Sequence, residues 1–272
     1  MRRVVYSPSL DRLVYLHEKA TPQFWDALWV AEGAASPPTP RDPIVTVTRR
    51  YLPAGAKVLE GGCGRGNKVK ALKDAGYAAT GIDFAARTVA QARLAYPGVD
   101  VRQGDVRGLE FPDQFFDGYW SIGVIEHFWG GYDVILSEAA RVLRPGGFLF
   151  LTAPWLSPYR QRLIRARSYR FEDFSAEPEP FYQFALGHSE VDQALARHGF
   201  RLLRWRGLAS EVSMREDMPR LRSQVDWLLR SRGSIFKRVL RRIIVRAANA
   251  YCGHSFMAIA ERQGTSSGVL AE

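Results

Sequence analysis

At 272 residues, with 46% hydrophobic and 12% aromatic side chains, the chain suits one elaborated α/β domain or a domain with a small appendage. No apolar run reaches the roughly 20 residues of a membrane span. The basic N-terminus lacks the apolar core of a signal peptide, and two cysteines make no disulfide framework, so a cytoplasmic setting is expected. The net charge of +10 is local: residues 201–250 hold thirteen basic side chains against four acids, which points to an anionic partner for that segment.

Residues 1–56 are expected to form an N-terminal helical cap and linker. Thr21 and Pro22 read as N-cap and first residue of a helix. Phe24, Trp25, Leu28 and Trp29 give that helix an aromatic face to pack on the main domain. Residues 32–43, with four prolines, read as a linker. A short helix over 44–51 leads to the turn Pro53-Ala54-Gly55. From Lys57 the pattern alternates. Val58-Leu59 ends a buried strand, a glycine turn follows, and a helix runs to about Ala75 with Gly76 at its end. Strands are predicted at 78–83, 99–104, 115–122, 147–153, 200–208 and 254–261, with helices at 85–96, 132–143 and 189–198. Such alternation means a largely parallel sheet covered on both faces, with ligands at the carboxyl ends of the strands.

The glycine turn, Glu60-Gly61-Gly62-Cys63-Gly64-Arg65-Gly66-Asn67, departs from the dinucleotide fingerprint, because Asn67 stands where its last glycine or alanine belongs. The acid before the glycines suits a cationic ligand group better than a pyrophosphate. The glycines permit positive φ and close approach of a ligand, and N–H groups at the helix start are expected to be open to polar ligand atoms. Asp83 ends the second strand 23 positions after Glu60, where an acid can accept hydrogen bonds from ribose hydroxyls; it can also cap the next helix. Gly104-Asp105-Val106 ends the third strand, with Asp105 as a base-binding acid or a turn residue. Then come Phe115-Phe116-Asp117-Gly118-Tyr119-Trp120-Ser121 with Glu126-His127, and Leu143-Arg144-Pro145-Gly146-Gly147 with Thr152-Ala153-Pro154.

These four motifs, in this order over about residues 55–155, resemble the small-molecule branch of class I S-adenosylmethionine-dependent methyltransferases. The resemblance implies an α/β, Rossmann-like, seven-stranded, mostly parallel sheet with helices on both faces. To this the sequence adds an N-terminal helical cap and a helical insertion between the last two strands, which the resembled fold commonly joins by a short connection. It implies S-adenosylmethionine as cofactor, bound by Glu60, Gly62, Gly64, Asp83, Phe84, Asp105, Val106 and Ser121: Glu60 near the amino group, Asp83 on the ribose, Phe84 and Val106 on the adenine. It implies transfer of a methyl group to a small-molecule, glycan or lipid-linked acceptor, with oxygen expected as the methylated atom. Ser121-Ile122-Gly123-Val124 in place of an Asn/Asp-Pro-Pro-aromatic run disfavours planar-amine acceptors. His127 is the candidate catalytic residue. In the resembled branch a Glu-His pair stands here whatever the acceptor, which places a cofactor-shell or loop-fixing role ahead of general base. His188 is the second choice. No metal is expected.

The acceptor is expected to meet the insertion at about 155–188, where arginines interleave with aromatics, through Tyr159, Arg160 and Tyr182, together with Trp25. The methyltransferase core is read as 57–210 and a basic helical insertion as 211–253. A final strand over 254–263 and a tail over 264–272 complete the chain. Within the insertion, Ile235, Phe236, Val239, Leu240, Ile243, Ile244, Ala247 and Ala248 fall on one helical stripe, with Lys237, Arg238, Arg241, Arg242 and Arg246 on the other face. Residues 232–248 therefore fit either an anionic membrane surface, which would make the protein peripheral, or the chain's own domain. An RNA methyltransferase using this insertion, and a non-catalytic cofactor-binding scaffold at the membrane, are the alternatives; the absence of a recognisable RNA-binding module weighs against nucleic acid.

Overall fold

The computed structural model describes residues 3–31, 39, 42–218, 223, 224, 226 and 235–264, with the backbone alone over 235–242. The expected linker at 32–43 and the tail at 264–272 lie largely outside the described residues, as do the side chains of Ile235, Phe236, Val239 and Leu240 in the proposed membrane stripe. The chain order is β1 (Arg3–Ser7), β2 (Arg12–Leu16), α1 (Pro22–Ala31), α2 (Pro43–Thr48), β3 (Lys57–Gly61), α3 (Asn67–Asp74), β4 (Ala78–Asp83), α4 (Ala86–Ala95) and β5 (Asp100–Gln103). Next come β6 (Phe116–Ile122), a 3-10 turn (Ile125–His127), α5 (Asp133–Val142), β7 (Leu143–Pro154), α6 (Pro158–Arg165), β8 (Arg170–Phe171), β9 (Phe181–Ala185) and α7 (His188–Arg197). The chain closes with β10 (Phe200–Leu208), α8 (Ser210–Asp217), α9 (Ile235–Cys252) and β11 (Ser255–Arg262).

Seven strands form the main sheet in the order β10-β11-β7-β6-β3-β4-β5. β3, β4, β5, β6 and β7 pair in parallel, and β11 lies antiparallel between β7 and β10. Alternation along each strand divides the core in two. Leu59, Tyr119, Leu149, Leu151 and Ala258 face one side, where Ile135, Leu136 and Ala139 of α5 and Leu195 of α7 cover them. Val58, Trp120, Phe150 and Met257 face the other, against Val69 and Leu72 of α3 and Val89 of α4. The central strands are buried on both faces, as a parallel sheet requires.

The N-terminal region is not helical throughout. Residues 3–16 form a β-hairpin, with Asp11 at φ 49° in its turn. The hairpin joins β9 and β8 of the 155–188 insertion in a second sheet of order β8-β1-β2-β9. The expected cap and the expected acceptor insertion are thus one structure. The expected helix start at Thr21 is present, the Phe24 N–H donating to Thr21 Oγ1 at 3.2 Å. Helices α8 and α9 lie in the connection between β10 and β11 among the described residues, and the Ser210 N–H at the head of α8 donates to Asn249 Oδ1 of α9 at 2.8 Å.

Candidate active site

The strand order reverses at β3, which has β4 on one side and β6 on the other, with Gly61 opposite Ser121 in register. A crevice opens beyond the carboxyl ends of strands at such a point. Here it holds a cavity of about 320 Å³, lined by Gly62, by Asp83 and Phe84 after β4, and by Gly104, Asp105 and Val106 after β5. Ile122, Val124, Glu126, His127 and Phe128 after β6, Trp25 and Trp29 of α1, and Tyr182 and Gln183 of β9 complete the lining.

The glycines are there for space. Gly62 has φ 72°, and a Cβ on it would lie 2.5 Å from Val124 Cγ2; Gly64 has φ 50°, and its Cβ would press on the Trp29 ring at 3.2 Å. The loop's N–H groups, however, are used internally. Gly62 and Cys63 donate to the Ile82 carbonyl, Gly66 to the Cys63 carbonyl, and Gly64 to Asp83 Oδ2 at 2.8 Å. At these four loop positions the N–H groups are therefore already partnered.

Glu60 is buried at the end of β3 with Oε2 unpartnered. Burial pushes its carboxyl up to about 8; Lys68 opposes this, while Asp83 and Asp42 add to it. Asp83 is also raised by burial, though less freely, because the Ala85 and Gly64 N–H groups donate to its two oxygens. Asp105 is the opposite case. The Arg107 guanidinium clasps its carboxylate, with Nη2 at 2.6 Å, and holds it below the usual carboxylate range. Ser121 is buried beside Gly61 with its Oγ unpartnered. Buried polar atoms without partners are uncommon, and Glu60, Ser121 and Glu126 concentrate three of them at the ends of β3 and β6.

His127 is fixed by its neighbours. Its Nδ1 lies 2.7 Å from the Tyr182 carbonyl oxygen, which can only accept, so Nδ1 carries the proton and Nε2 carries the lone pair. Burial pushes its pKa down to about 4, against the pull of that hydrogen bond, and Trp25 and Tyr182 meet its ring edge-on. Trp25 and Tyr182 thus reach the cavity, as do Asp83, Phe84, Asp105, Val106 and Gly62. Glu60 and Ser121 stand behind it, and Gly64 meets it through Trp29.

Tyr159 and Arg160 do not line the cavity, which corrects their reading as acceptor contacts. Tyr159 packs on Tyr251. Arg160 is fully buried and consumed by structure: Nε donates to Asp217 Oδ2 at 2.9 Å, and Nη1 donates to the Trp155 and His254 carbonyls. His188 likewise packs on Trp205. Glu126, Trp29 and Phe128 are among the lining residues that escaped the sequence reading as site residues. Glu126 had a legible signal, an acid beside His127 at the mouth of the fourth strand of the core.

The family profile described as "Methyltransferase domain" matches residues 59–151, the span from β3 to β7 that carries the strand-end acids. A Mycolicibacterium smegmatis protein named "Probable S-adenosylmethionine-dependent methyltransferase" is 34% identical over 152 residues, 55% of this chain and 53% of its own length. The ubiquinone biosynthesis O-methyltransferase of Xanthomonas axonopodis pv. citri is 30% identical over 164 residues, 54% of this chain and 68% of its own length. The chain spans about half, or less, of the length of the first curated relatives it matches. Among solved structures, the cyclase SpnF superposes with a TM-score of 0.58 and 20% identity over 91% of this chain and 99% of its own, a likeness of fold.

Proposed function

We propose, from the premise that this chain belongs to the class I S-adenosylmethionine-dependent methyltransferase family, that it moves a methyl group to an oxygen of an apolar small-molecule or lipid-linked acceptor by in-line displacement. S-adenosylmethionine is the cofactor of the family, and when bound it supplies a methyl group already activated on a sulfonium centre. The observation that carries the reading is the set of acids on three adjacent strand ends, Glu60, Asp83 and Asp105, around one cavity that no lysine or arginine among the described residues lines. Such a set suits a cationic nucleoside. Glu60 would take the amino group, Asp83 the ribose hydroxyls, and Asp105 with the Val106 N–H the adenine edge, with Phe84 along its face. Gly62 and Gly64 keep the backbone open to it, and Ser121 stands beside Gly61 at the amino-acid end.

The chain's own part in the chemistry is alignment, exclusion of water and disposal of one proton. A hydroxyl oxygen that gains a methyl group becomes a strongly acidic oxonium. A weak base therefore suffices, and His127, neutral with its lone pair on Nε2, would serve as one. Trp25, Phe128 and Tyr182 wall the acceptor side. An open groove of about 490 Å³ beside α1, lined by His17, Glu18, Phe24, Leu28 and Tyr182 among others, would extend the acceptor surface beyond the cavity. The relative named for ubiquinone biosynthesis O-methyl transfer supports oxygen as the acceptor atom. The basic segment fits the same reading: it would hold the protein at an anionic membrane surface where a lipid-linked acceptor is met, while no helix among the described residues is long and apolar enough to cross a membrane.

Calorimetric titration with S-adenosylmethionine tests the cofactor site, and transfer of a tritiated methyl group into solvent-extracted lipid tests the acceptor class. The expected results are saturable binding, weakened about tenfold or more in Asp83→Ala, and label in the organic phase. No binding by the wild type would overturn the reading at its root; label in RNA and none in the organic phase would overturn the acceptor class.

A further inference from the structure

We infer that Trp29 of α1 forms the carboxylate-binding subsite for the amino-acid end of the cofactor, its indole N–H answering the one anionic group that the strand-end acids cannot. The inference rests on the methyltransferase reading and deepens it.

S-adenosylmethionine carries an amino group and a carboxylate on the same carbon, so a protein that receives the first must receive the second beside it. Glu60, Asp83 and Asp105 answer the amino, ribose and adenine groups, and each of them repels a carboxylate. An anion taken out of water needs hydrogen bonds or a counter-charge. The ordinary sources are already taken in this chain. A glycine turn at a helix start commonly offers N–H groups, but those of Gly62, Cys63, Gly64 and Gly66 all donate within the fold. Of residues 61–68, which make up the turn and the head of α3, Gly62 is the one that lines the cavity. After β6, the Gly123 N–H donates to the Thr152 carbonyl. No lysine or arginine among the described residues lines the cavity either. Lys68 is paired with Asp42 at 3.0 Å, and Arg107 with Asp105 at 2.6 Å.

Trp29 fills the gap. It lines the cavity, and the edge of its indole that bears the N–H lies on the glycine turn: a Cβ on Gly64 would stand 3.2 Å from Cζ2, 3.3 Å from Cε2 and 3.5 Å from Nε1. An indole N–H donates and cannot accept, and this one makes no hydrogen bond among the described residues. The Arg65 guanidinium lies over the same ring, 4.9 Å from its centroid. That positive charge draws electron density from the indole, which strengthens the N–H as a donor and favours an anion at its edge. Trp25 stacks on Trp29 with centroids 5.9 Å apart, but it meets His127 with its own ring, which leaves the glycine turn to Trp29. Asp26, between the two in sequence, ties α1 to Thr88 of α4, so the donor is in place before a ligand arrives. Amino group to Glu60 and carboxylate to Trp29 are two fixed points on one carbon, and they orient the amino-acid end and the sulfur joined to it.

The test is calorimetric titration of S-adenosylhomocysteine, and of S-adenosyl-3-thiopropylamine, which lacks only the carboxylate, into wild type, Trp29→Phe and Lys68→Met. The wild type is expected to bind S-adenosylhomocysteine at least about tenfold more tightly than the amine. Trp29→Phe keeps a ring for Arg65 and Trp25 and loses the N–H. It should bind S-adenosylhomocysteine about tenfold or more less tightly than wild type and the amine within about twofold, so that the preference collapses. Lys68→Met changes the charge around Glu60, which both ligands meet alike, and should keep the preference within about twofold. The inference is overturned if the wild type binds the two ligands equally, if Trp29→Phe weakens both to the same degree or neither, or if the preference collapses in Lys68→Met. Equal binding of the two ligands leaves the methyltransferase reading standing. Failure of the wild type to bind S-adenosylhomocysteine strikes that reading itself, and this inference with it.

Discussion

Glu60 and Glu126 are two buried carboxyls that hold their protons near neutrality, and they part company when the cofactor binds. Glu60 must ionise to meet an amino cation, so uptake of S-adenosylhomocysteine at pH 7 should release about one proton. The binding enthalpy should then differ between phosphate and Tris buffers, and Glu60→Gln should abolish the difference while weakening binding about tenfold or more. Equal enthalpies in the two buffers would place the amino group elsewhere. Glu126 makes a prediction about stability. Its pKa is about 8 folded, against an ordinary 4.5. A carboxyl that holds its proton more tightly when folded favours the fold fully below the lower value. That contribution drains away as pH rises through the window between the two. Glu126→Gln has no proton to lose. Its melting temperature should match wild type at about pH 5 and exceed it at about pH 8.5, and a variant that melts alike at both would refute the burial argument. Both acids were visible as residue types at the ends of apolar strands. Their protonation was not, because it follows from burial at both and, at Glu60, from Lys68, Asp83 and Asp42, which come near it only in the fold.

The elements most legible in the sequence were those with one buried period. The strands of the main sheet and the helices with stripes such as Ile135, Leu136 and Ala139 carry their own pattern. The hairpin at 3–16 was missed although Val4-Val5-Tyr6 and Leu13-Val14-Tyr15-Leu16 flank a turn with Pro8 and Asp11; its partners are more than 150 residues away, in β8 and β9. The position of α1 was equally hidden. No residue of α1 is fully buried, and it is held over the cavity by side chains. Asp26 Oδ1 accepts from the Thr88 N–H at 2.8 Å and from Thr88 Oγ1 at 2.7 Å, which supplies from outside the cap that Ala85 cannot give α4. Trp29 lies on Gly64, and the Arg65 guanidinium lies over Trp29. Asp26→Ala should therefore weaken S-adenosylhomocysteine binding severalfold by titration while costing only about 1 kcal/mol of stability by urea unfolding. Arg160 is the converse, an arginine in a basic aromatic run that reads as an acceptor contact and is in fact fully buried. Asp217 on α8, its partner at 2.9 Å, lies 57 positions further on. Arg160→Ala leaves that acid uncompensated and should cost about 3–5 kcal/mol, with cofactor affinity unchanged in whatever remains folded.

At the scale of the whole molecule, the concentration of positive charge after residue 200 divides between two uses. Arg201, Arg204 and Arg206 lie on β10, the edge of the main sheet, where charged side chains discourage pairing with another chain. Arg201 is already paired with Glu261. The remainder belongs to the connection that ends in α9, whose last turns pack on β10 and α8 through Asn249. That packing leaves apolar surface uncovered: Ile243 is 60% exposed, Ile244 38% and Tyr251 44%. Basic charge next to exposed isoleucine is what an interfacial helix needs, since attraction to anionic lipid of about 1 kcal/mol per basic residue brings it to the surface and apolar burial holds it there. The protein should float with vesicles rich in phosphatidylglycerol and stay in solution with phosphatidylcholine vesicles. High salt should release it, because screening shortens the reach of the attraction. Ile243→Ser with Ile244→Ser should lose flotation at unchanged melting temperature, since neither side chain is buried in the fold. Equal recovery with both vesicle types, or with neither, would leave the basic face to solvent and the acceptor to be met there.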